Sequence, residues 1–139
     1  MISENELNRL KSFHGNGNYA LTVYLRLDTP QFRETAYEHF DQAVQACLER
    51  CASQPECREA IREDLEIVGL YIKTNVHRHY PGVAIFSCAA ELFWRAYPLP
   101  APIPTQVSVV SGFIVEPLLE LFVPSRAALA LSEVSGAVD

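Results

Sequence analysis

The sequence predicts an α/β fold, bordering on α+β, with one mixed β-sheet of about four to five strands covered by helices. Three observations support this prediction. An alternating apolar strand comes first, a long pair of amphipathic helices follows it, and a β-rich region follows the helices. Because a helical crossover joins the first strand to the β-rich region, those strands could be parallel neighbours.

Composition limits the classes of function. The 139 residues are 49% apolar, which suits a single domain with an ordinary core. The net charge is −6 and no basic run is present, so composition gives no electrostatic footprint for nucleic acid. No apolar run is long enough to span a bilayer, and the polar N-terminus lacks the apolar centre of a signal peptide. We therefore expect a cytoplasmic protein that binds neither DNA nor membranes.

The first two elements are a short helix and a strand. Ser3 and Glu6 have the spacing of a capping box, which predicts a helix over about residues 3–13. Turn-forming residues 14–18 end this helix. Tyr19–Leu27 alternates with period two, which is typical of a strand. Its second face is mixed in polarity, so we expect that face to be covered only in part. The members of that face are Ala20, Thr22, Tyr24 and Arg26.

A helical hairpin follows the strand. Asp28 or Thr29 can cap the next helix, and Pro30 suits its first turn. Apolar residues recur at three- and four-residue spacing over about residues 31–52 and again over about 56–78, which predicts two long helices. The short break between them makes the pair antiparallel, with its tip near Gln54. The acidic residues of the second helix are most simply a solvated face. They are Glu59, Glu63, Asp64 and Glu66.

The β-rich region begins with a predicted β-hairpin, Val83–Cys88 and Leu92–Tyr97, because three residues separate two short apolar runs. A third strand over Gln106–Ser111 and a short helix over Glu116–Phe122 follow. Arg126–Ser132 suits a last strand. We assign residues 1–125 to one α/β domain and expect residues 126–139 to be the truncated start of a second domain.

The residues with reactive side chains do not form a recognisable site. Cys47, Cys51 and Cys57 lack zinc-site spacing, and His77 lies about 30 Å along the helix from Cys57. We therefore expect no metal, no cofactor and no enzyme activity. Cys51 and Cys57 are symmetric about Gln54 and could face each other across the turn. A disulfide there stays open, although a cytosolic location favours two free thiols.

The order of elements, with Leu21–Asp28, Gly82–Cys88 and Phe113–Phe122, resembles the N-terminal domain of the bacterial relatives of archaeal and eukaryotic class-1 peptide chain release factors. The resemblance covers about residues 19–132. It implies ribosome association through rRNA in the decoding region of the A site, where the domain would position a longer chain. The domain would act in translation termination, ribosome rescue or ribosome hibernation.

The chain departs from that family at both decoding elements. The Asn-Ile-Lys-Ser motif is absent from the turn, which reads ASQPECR, and the Tyr-x-Cys-x-x-x-Phe element keeps only Phe113. Stop-codon reading is therefore not expected. We define the hairpin tip as residues 50–58, and its candidate contact residues are Arg50, Ser53, Gln54, Glu56 and Arg58. The alternative is a protein-interaction or oligomerisation domain without ribosome binding, for which a homo-oligomer is one form.

Overall fold

A computed structural model describes residues 2–51, 54–75 and 80–122 of the chain. In these residues four strands form one sheet, in the order β3-β2-β1-β4. The strands are β1 (Ala20–Arg26), β2 (Gly82–Cys88), β3 (Phe93–Leu99) and β4 (Gln106–Val110). The helices are α1 (Glu4–Lys11), α2 (Pro30–Glu34), α3 (Ala36–Glu49), α4 (Gln54–Ala60), α5 (Arg62–Asn75) and α6 (Glu116–Phe122). The predicted fold class is confirmed. The predicted strand over Arg126–Ser132 and the expected second domain lie outside the described residues.

Both predicted long helices are interrupted. The first is divided at Thr35 into α2 and α3, and the second is divided at Ile61 into α4 and α5. The Thr35 hydroxyl donates a hydrogen bond to the carbonyl of Gln31 at 2.8 Å. A threonine that bonds back to the preceding turn in this way bends or breaks a helix. The antiparallel helical hairpin is therefore present, but it is built from shorter helices than its apolar spacing predicts.

The parallel pairing of the first strand with the Val83 strand is wrong. β1 and β2 are neighbours, but they are antiparallel, with Leu21 opposite Ser87 and Leu25 opposite Val83. All three strand pairings of the described residues are antiparallel, so the sheet is antiparallel and not mixed as predicted. A single crossover helix would return the chain to the start of the sheet. Here a hairpin of helices runs out and back, so the chain re-enters the sheet at the end where it left.

The two central strands of the sheet, β1 and β2, are buried on both faces. Leu21, Val23 and Ile85 pack on the layer formed by α3, α4 and α5, and Tyr24 and Phe86 pack on the layer that includes α1 and α6. The expectation that the second face would be covered only in part is wrong for its first three members. Ala20, Thr22 and Tyr24 are at most 1% exposed, whereas Arg26 is exposed.

The loop before α6 covers that second face because it bonds directly to β1. The Tyr24 hydroxyl donates to the carbonyl of Ile114, and the Ile114 N–H donates to the Thr22 hydroxyl at 3.2 Å. The two buried hydroxyl groups on this face of β1 therefore each have a backbone hydrogen-bond partner. Such pairing lets a strand with a mixed face be buried, since an unpaired polar group would be costly there.

The β2–β3 hairpin is confirmed. Its connection is a 3-10 turn over Ala89–Glu91, followed by Leu92 in the left-handed region at φ 55° and 95% exposed. The side-chain amides of Asn16 and Asn18 both donate to the Glu91 carboxylate, at 2.9 and 3.4 Å. These bonds tie the hairpin to the loop between α1 and β1. No helix in the described parts of the chain has the length and apolar character needed to cross a membrane.

Candidate functional site

The hairpin tip is built where α3 ends and α4 begins. The backbone N–H of Arg50 closes α3 by donating to the carbonyl of Cys47 at 3.2 Å. The structure joins Cys51 to Cys57 in a disulfide, with Cα atoms 7.2 Å apart. The structure therefore differs from the preference for two free thiols, because Cys51, the second residue after α3, lies against the middle of α4. The bond fixes the separation of the two helix ends.

Arg50 and Arg58 are sequence neighbours of the joined cysteines. Consecutive Cα atoms are about 3.8 Å apart, so the Cα atoms of the two arginines lie no more than about 15 Å from each other. Arg50 is exposed, and the half-buried Arg58 donates from Nη2 to the Gln45 side-chain oxygen at 3.0 Å. Two arginines whose Cα atoms are this close can both reach phosphate oxygens of one extended anionic ligand.

Other predicted contact residues of the hairpin tip are placed only in part. Glu56 is exposed on α4, close in sequence to both Cys57 and Arg58, so the surface there carries both signs of charge. Gln54 begins α4, but its side chain lies outside the described residues, as does all of Ser53. The structure thus places Arg50, Glu56 and Arg58 around one turn.

Phe113 is not part of this surface. It is 9% exposed and belongs to the core on the other face of the sheet. The centroid of its ring lies 4.4 Å from the ring centroid of Phe13, 5.3 Å from that of Phe86 and 5.2 Å from that of Phe93. These contacts explain the residue by packing alone. Its interpretation as a remnant of a decoding element stays a prediction, and an enclosed ring has little surface to offer a nucleobase.

A groove continues from the hairpin tip between α3 and the α4–α5 layer. It is a cavity of about 350 Å³ whose lining includes Tyr37, Asp41 and Arg58. The Arg62 guanidinium and the Glu59 carboxylate, 3.2 Å apart, form an exposed ion pair at its wall. Charges of both signs line this groove, so it has no uniform preference for an anion. Arg58 is the residue that the groove shares with the hairpin tip.

Asp64 is a positioning residue that the sequence pattern did not reveal. We predicted it on a solvated acidic face, and this is wrong, since it is 1% exposed. Its carboxylate accepts hydrogen bonds from the Ser87 hydroxyl and from the backbone N–H of Ala89. The signal was present, because Asp64 lies three residues after Ile61 and four before Val68, within the buried stripe. Through these bonds α5 is fixed to the end of β2.

The turn between β1 and α2 is explained by capping and one ion pair. Thr29, not Asp28, is the N-cap, since its hydroxyl accepts from the N–H of Phe32 at 3.1 Å. Asp28 instead accepts from the Arg26 guanidinium at 2.8 Å. That hydrogen bond holds the pKa of Asp28 below its usual value. Among the described residues, no group of three or more His, Cys, Asp or Glu side chains could hold a metal ion.

Comparison with known protein families and with curated proteins finds no match for this chain. The resemblance to release-factor relatives therefore rests on the sequence pattern alone.

Proposed function

We propose that this chain is a non-catalytic binding module that acts at the bacterial ribosome and presents its hairpin tip to RNA phosphates. One observation carries the proposal: Arg50 and Arg58 flank a turn whose ends are joined covalently, in a chain whose net charge is −6. Positive charge at a preorganised turn is suited to phosphate contacts, which orient a protein on RNA without reading its sequence.

The wider role follows the sequence resemblance. In this proposal the module positions a longer chain in the ribosomal A site during termination, rescue or hibernation. The tip sequence lacks the family's decoding motif, so stop-codon reading is not included. The acidic surface restricts the contact to the hairpin tip, because acidic side chains elsewhere would repel the phosphate backbone.

The proposal predicts how the affinity for ribosomes depends on salt concentration. A protein that neutralises two phosphates is expected to lose affinity with a log–log slope of about −1.4 to −1.8 against salt concentration. This is a shallow dependence compared with that of a broadly basic RNA-binding surface. A much steeper slope would mean that more cationic residues than Arg50 and Arg58 make contact.

Co-sedimentation with 70S ribosomes at a series of salt concentrations tests the function. We expect the wild-type chain to sediment and an Arg50→Glu/Arg58→Glu variant to remain in the supernatant. A Lys11→Glu/Lys73→Glu variant is the matched control, because it makes the same charge change at exposed residues of α1 and of the last turn of α5. Equal loss in both variants, or no sedimentation of the wild type at low salt, would contradict the proposal.

A second candidate is a protein-interaction or oligomerisation module, and one observation favours it. Leu70 is 65% exposed and Ile67 is 40% exposed on the outer face of α5. A protein partner could cover these side chains, although single exposed apolar residues are common on monomers. Light scattering tests the homo-oligomer form of this candidate. A wild-type mass equal to that of a dimer, together with a monomer mass for a Leu70→Glu variant, would support it.

A further inference from the structure

We propose that the Cys51–Cys57 pair is a reversible redox modification site, whose oxidised and reduced states hold the end of α3 and the middle of α4 at different separations. The effect on ribosome binding rests on the proposed function, whereas the thiol chemistry does not. The pair joins the first residue beyond the Arg50 cap to the middle of α4, so the bond crosses the whole turn.

The two sulfurs differ in access, and this difference assigns their roles. Cys57 is fully buried, whereas Cys51 is half-buried. A reagent from solvent therefore reaches the Cys51 sulfur first. This access favours exchange over an inert, fully buried bond.

The reaction is exchange with a small thiol and its disulfide, such as the two forms of glutathione. A small thiolate attacks the Cys51 sulfur, the bond to Cys57 breaks, and Cys57 leaves as a thiolate that takes up a proton. A second small thiolate then attacks the mixed disulfide, which releases Cys51 as a thiolate that also takes up a proton and forms the small disulfide. The protein gains two electrons and two protons. The reverse sequence restores the bond, and no other oxidant or reductant is required.

Reduction removes the covalent limit on the distance between the helix ends. Arg50 and Arg58 then lose the enforced spacing of at most about 15 Å. Binding of the reduced protein must in addition order the two helix ends relative to each other, and a cost comparable to ordering one long side chain lowers affinity about two- to twelvefold. We therefore expect the reduced protein to bind ribosomes more weakly than the oxidised protein by a factor in that range.

A tryptic peptide reports the redox state directly. Cleavage after Arg50 and after Arg58 releases CASQPECR, which contains Cys51 and Cys57 and neither of the other cysteines. The native chain is equilibrated at a series of glutathione to glutathione disulfide ratios, quenched with acid, alkylated under denaturing conditions and digested. In the mass spectrum the bridged peptide carries no alkyl group and the reduced peptide carries two. We expect a midpoint within the series and full recovery on reoxidation.

Two outcomes of that titration would overturn the inference. A peptide that stays bridged in a large excess of glutathione would show a permanent structural bond. A peptide that stays reduced in excess glutathione disulfide would show that no bond forms. A permanent bond leaves the proposed function standing, whereas a peptide that never forms the bond removes the covalent constraint on which that proposal relies. The sedimentation of the arginine variants tests ribosome binding separately in both cases.

Cysteine variants distinguish the Cys51–Cys57 pair from the nearby Cys47 and test whether the bond affects ribosome binding. A Cys47→Ser variant should titrate as the wild type does, because Cys47 is a free cysteine outside the bridge. A Cys51→Ser variant should sediment with ribosomes as weakly as the reduced wild type, with or without glutathione disulfide. A reversible midpoint together with equal sedimentation of both redox states would keep the modification site and overturn its control of the hairpin tip.

Discussion

The Ser87 hydroxyl on β2 donates a hydrogen bond to the Asp64 carboxylate on α5, and each residue is 1% exposed. The same carboxylate oxygen accepts from the backbone N–H of Ala89, at 2.8 Å. Since Ala89 follows the last residue of β2, one buried side chain joins the helical layer to the sheet and to the turn beyond it. These bonds add a polar link between α5 and the end of β2 to the apolar packing of the helices on the sheet.

Replacement of Asp64 by alanine should lower the free energy of unfolding by about 2 to 3 kcal/mol, because two buried donors lose a charged acceptor. Urea unfolding measures this change. Asp64→Asn retains one carbonyl oxygen that can accept both bonds, so its loss should be smaller. Glu66→Ala on the exposed face of α5 is the control and should change stability by less than about 0.5 kcal/mol. Equal losses for Asp64→Ala and Glu66→Ala would contradict this assignment.

Glu6 on α1 should titrate abnormally because of Tyr97 on β3. The Tyr97 hydroxyl donates to the Glu6 carboxylate, and this bond, ahead of the charge of Arg95, holds the pKa of Glu6 below its usual value. The carboxylate therefore contributes stability that is present above the unfolded pKa of about 4.3, and the contribution is lost as the pH falls through the lower folded pKa.

The Tyr97→Phe variant should raise the pKa of Glu6 toward its ordinary value. The carboxyl carbon shift of Glu6 in an NMR titration measures the change. Tyr80→Phe is a suitable control because Tyr80 is 46% exposed and has no contact with Glu6 among the hydrogen bonds of the described residues. An unchanged pKa in the Tyr97 variant would assign the shift to Arg95 instead.

Replacement of Leu92 by glycine should stabilise the folded protein. Its φ of 55° and ψ of 38° lie in the left-handed region, where an L-residue with a side chain is disfavoured by about 1 to 2 kcal/mol. Because the side chain is 95% exposed, its removal loses almost no packing. After the greater freedom of glycine in the unfolded chain is subtracted, Leu92→Gly should raise the free energy of unfolding by up to about 1 kcal/mol.

Thermal unfolding checks that prediction against a neighbouring site. Ala90 is also exposed, but it lies in the 3-10 turn and does not have a positive φ. Ala90→Gly should therefore lower the melting temperature while Leu92→Gly raises it. If both substitutions lower it, the left-handed conformation of Leu92 is not a source of strain.

Phe113→Ala should lower the free energy of unfolding by about 3 to 5 kcal/mol, the range found when a buried phenylalanine is truncated. Its ring touches three others, and the loop that carries it also bonds to β1 through Ile114. Urea unfolding measures the loss, and Phe113→Leu, which fills most of the space, should lose less. Near-equal stability of the alanine variant and the wild type would contradict a packing role.

The sequence predicted the elements whose signals are local. The turn residues before Tyr19, the capping group at Thr29 and the three residues between the two predicted hairpin strands each determine a nearby backbone conformation, and the structure has an element boundary at each. The relative direction of two strands is not a local property, because it depends on how many times the chain reverses direction between them. The apolar spacing reveals a helical hairpin but does not show at which end of the sheet it returns.

Side-chain partners were also beyond the sequence pattern. Asp64 and Glu66 have the same charge on the same helix, yet one is buried and the other is exposed. Helical spacing places Asp64 in the buried stripe, but its partners, Ser87 at the end of β2 and Ala89 in the following turn, are distant in sequence and could not be read from the pattern. The candidate site shows the same limit, since symmetry about Gln54 indicated that Cys51 and Cys57 could meet but did not decide between a bond and two thiols.

The segment between β1 and β2 leaves the sheet and rejoins it at a single point, where the N–H of Leu27 donates to the carbonyl of Pro81 at 2.9 Å. The register of Arg26 opposite Gly82 is thus continuous across the base of the whole helical excursion. Topologically, the excursion is an insertion into a β-hairpin. Its far end can change in length and chemistry without shifting any strand, so the same four-stranded scaffold can diversify by altering one outlying turn.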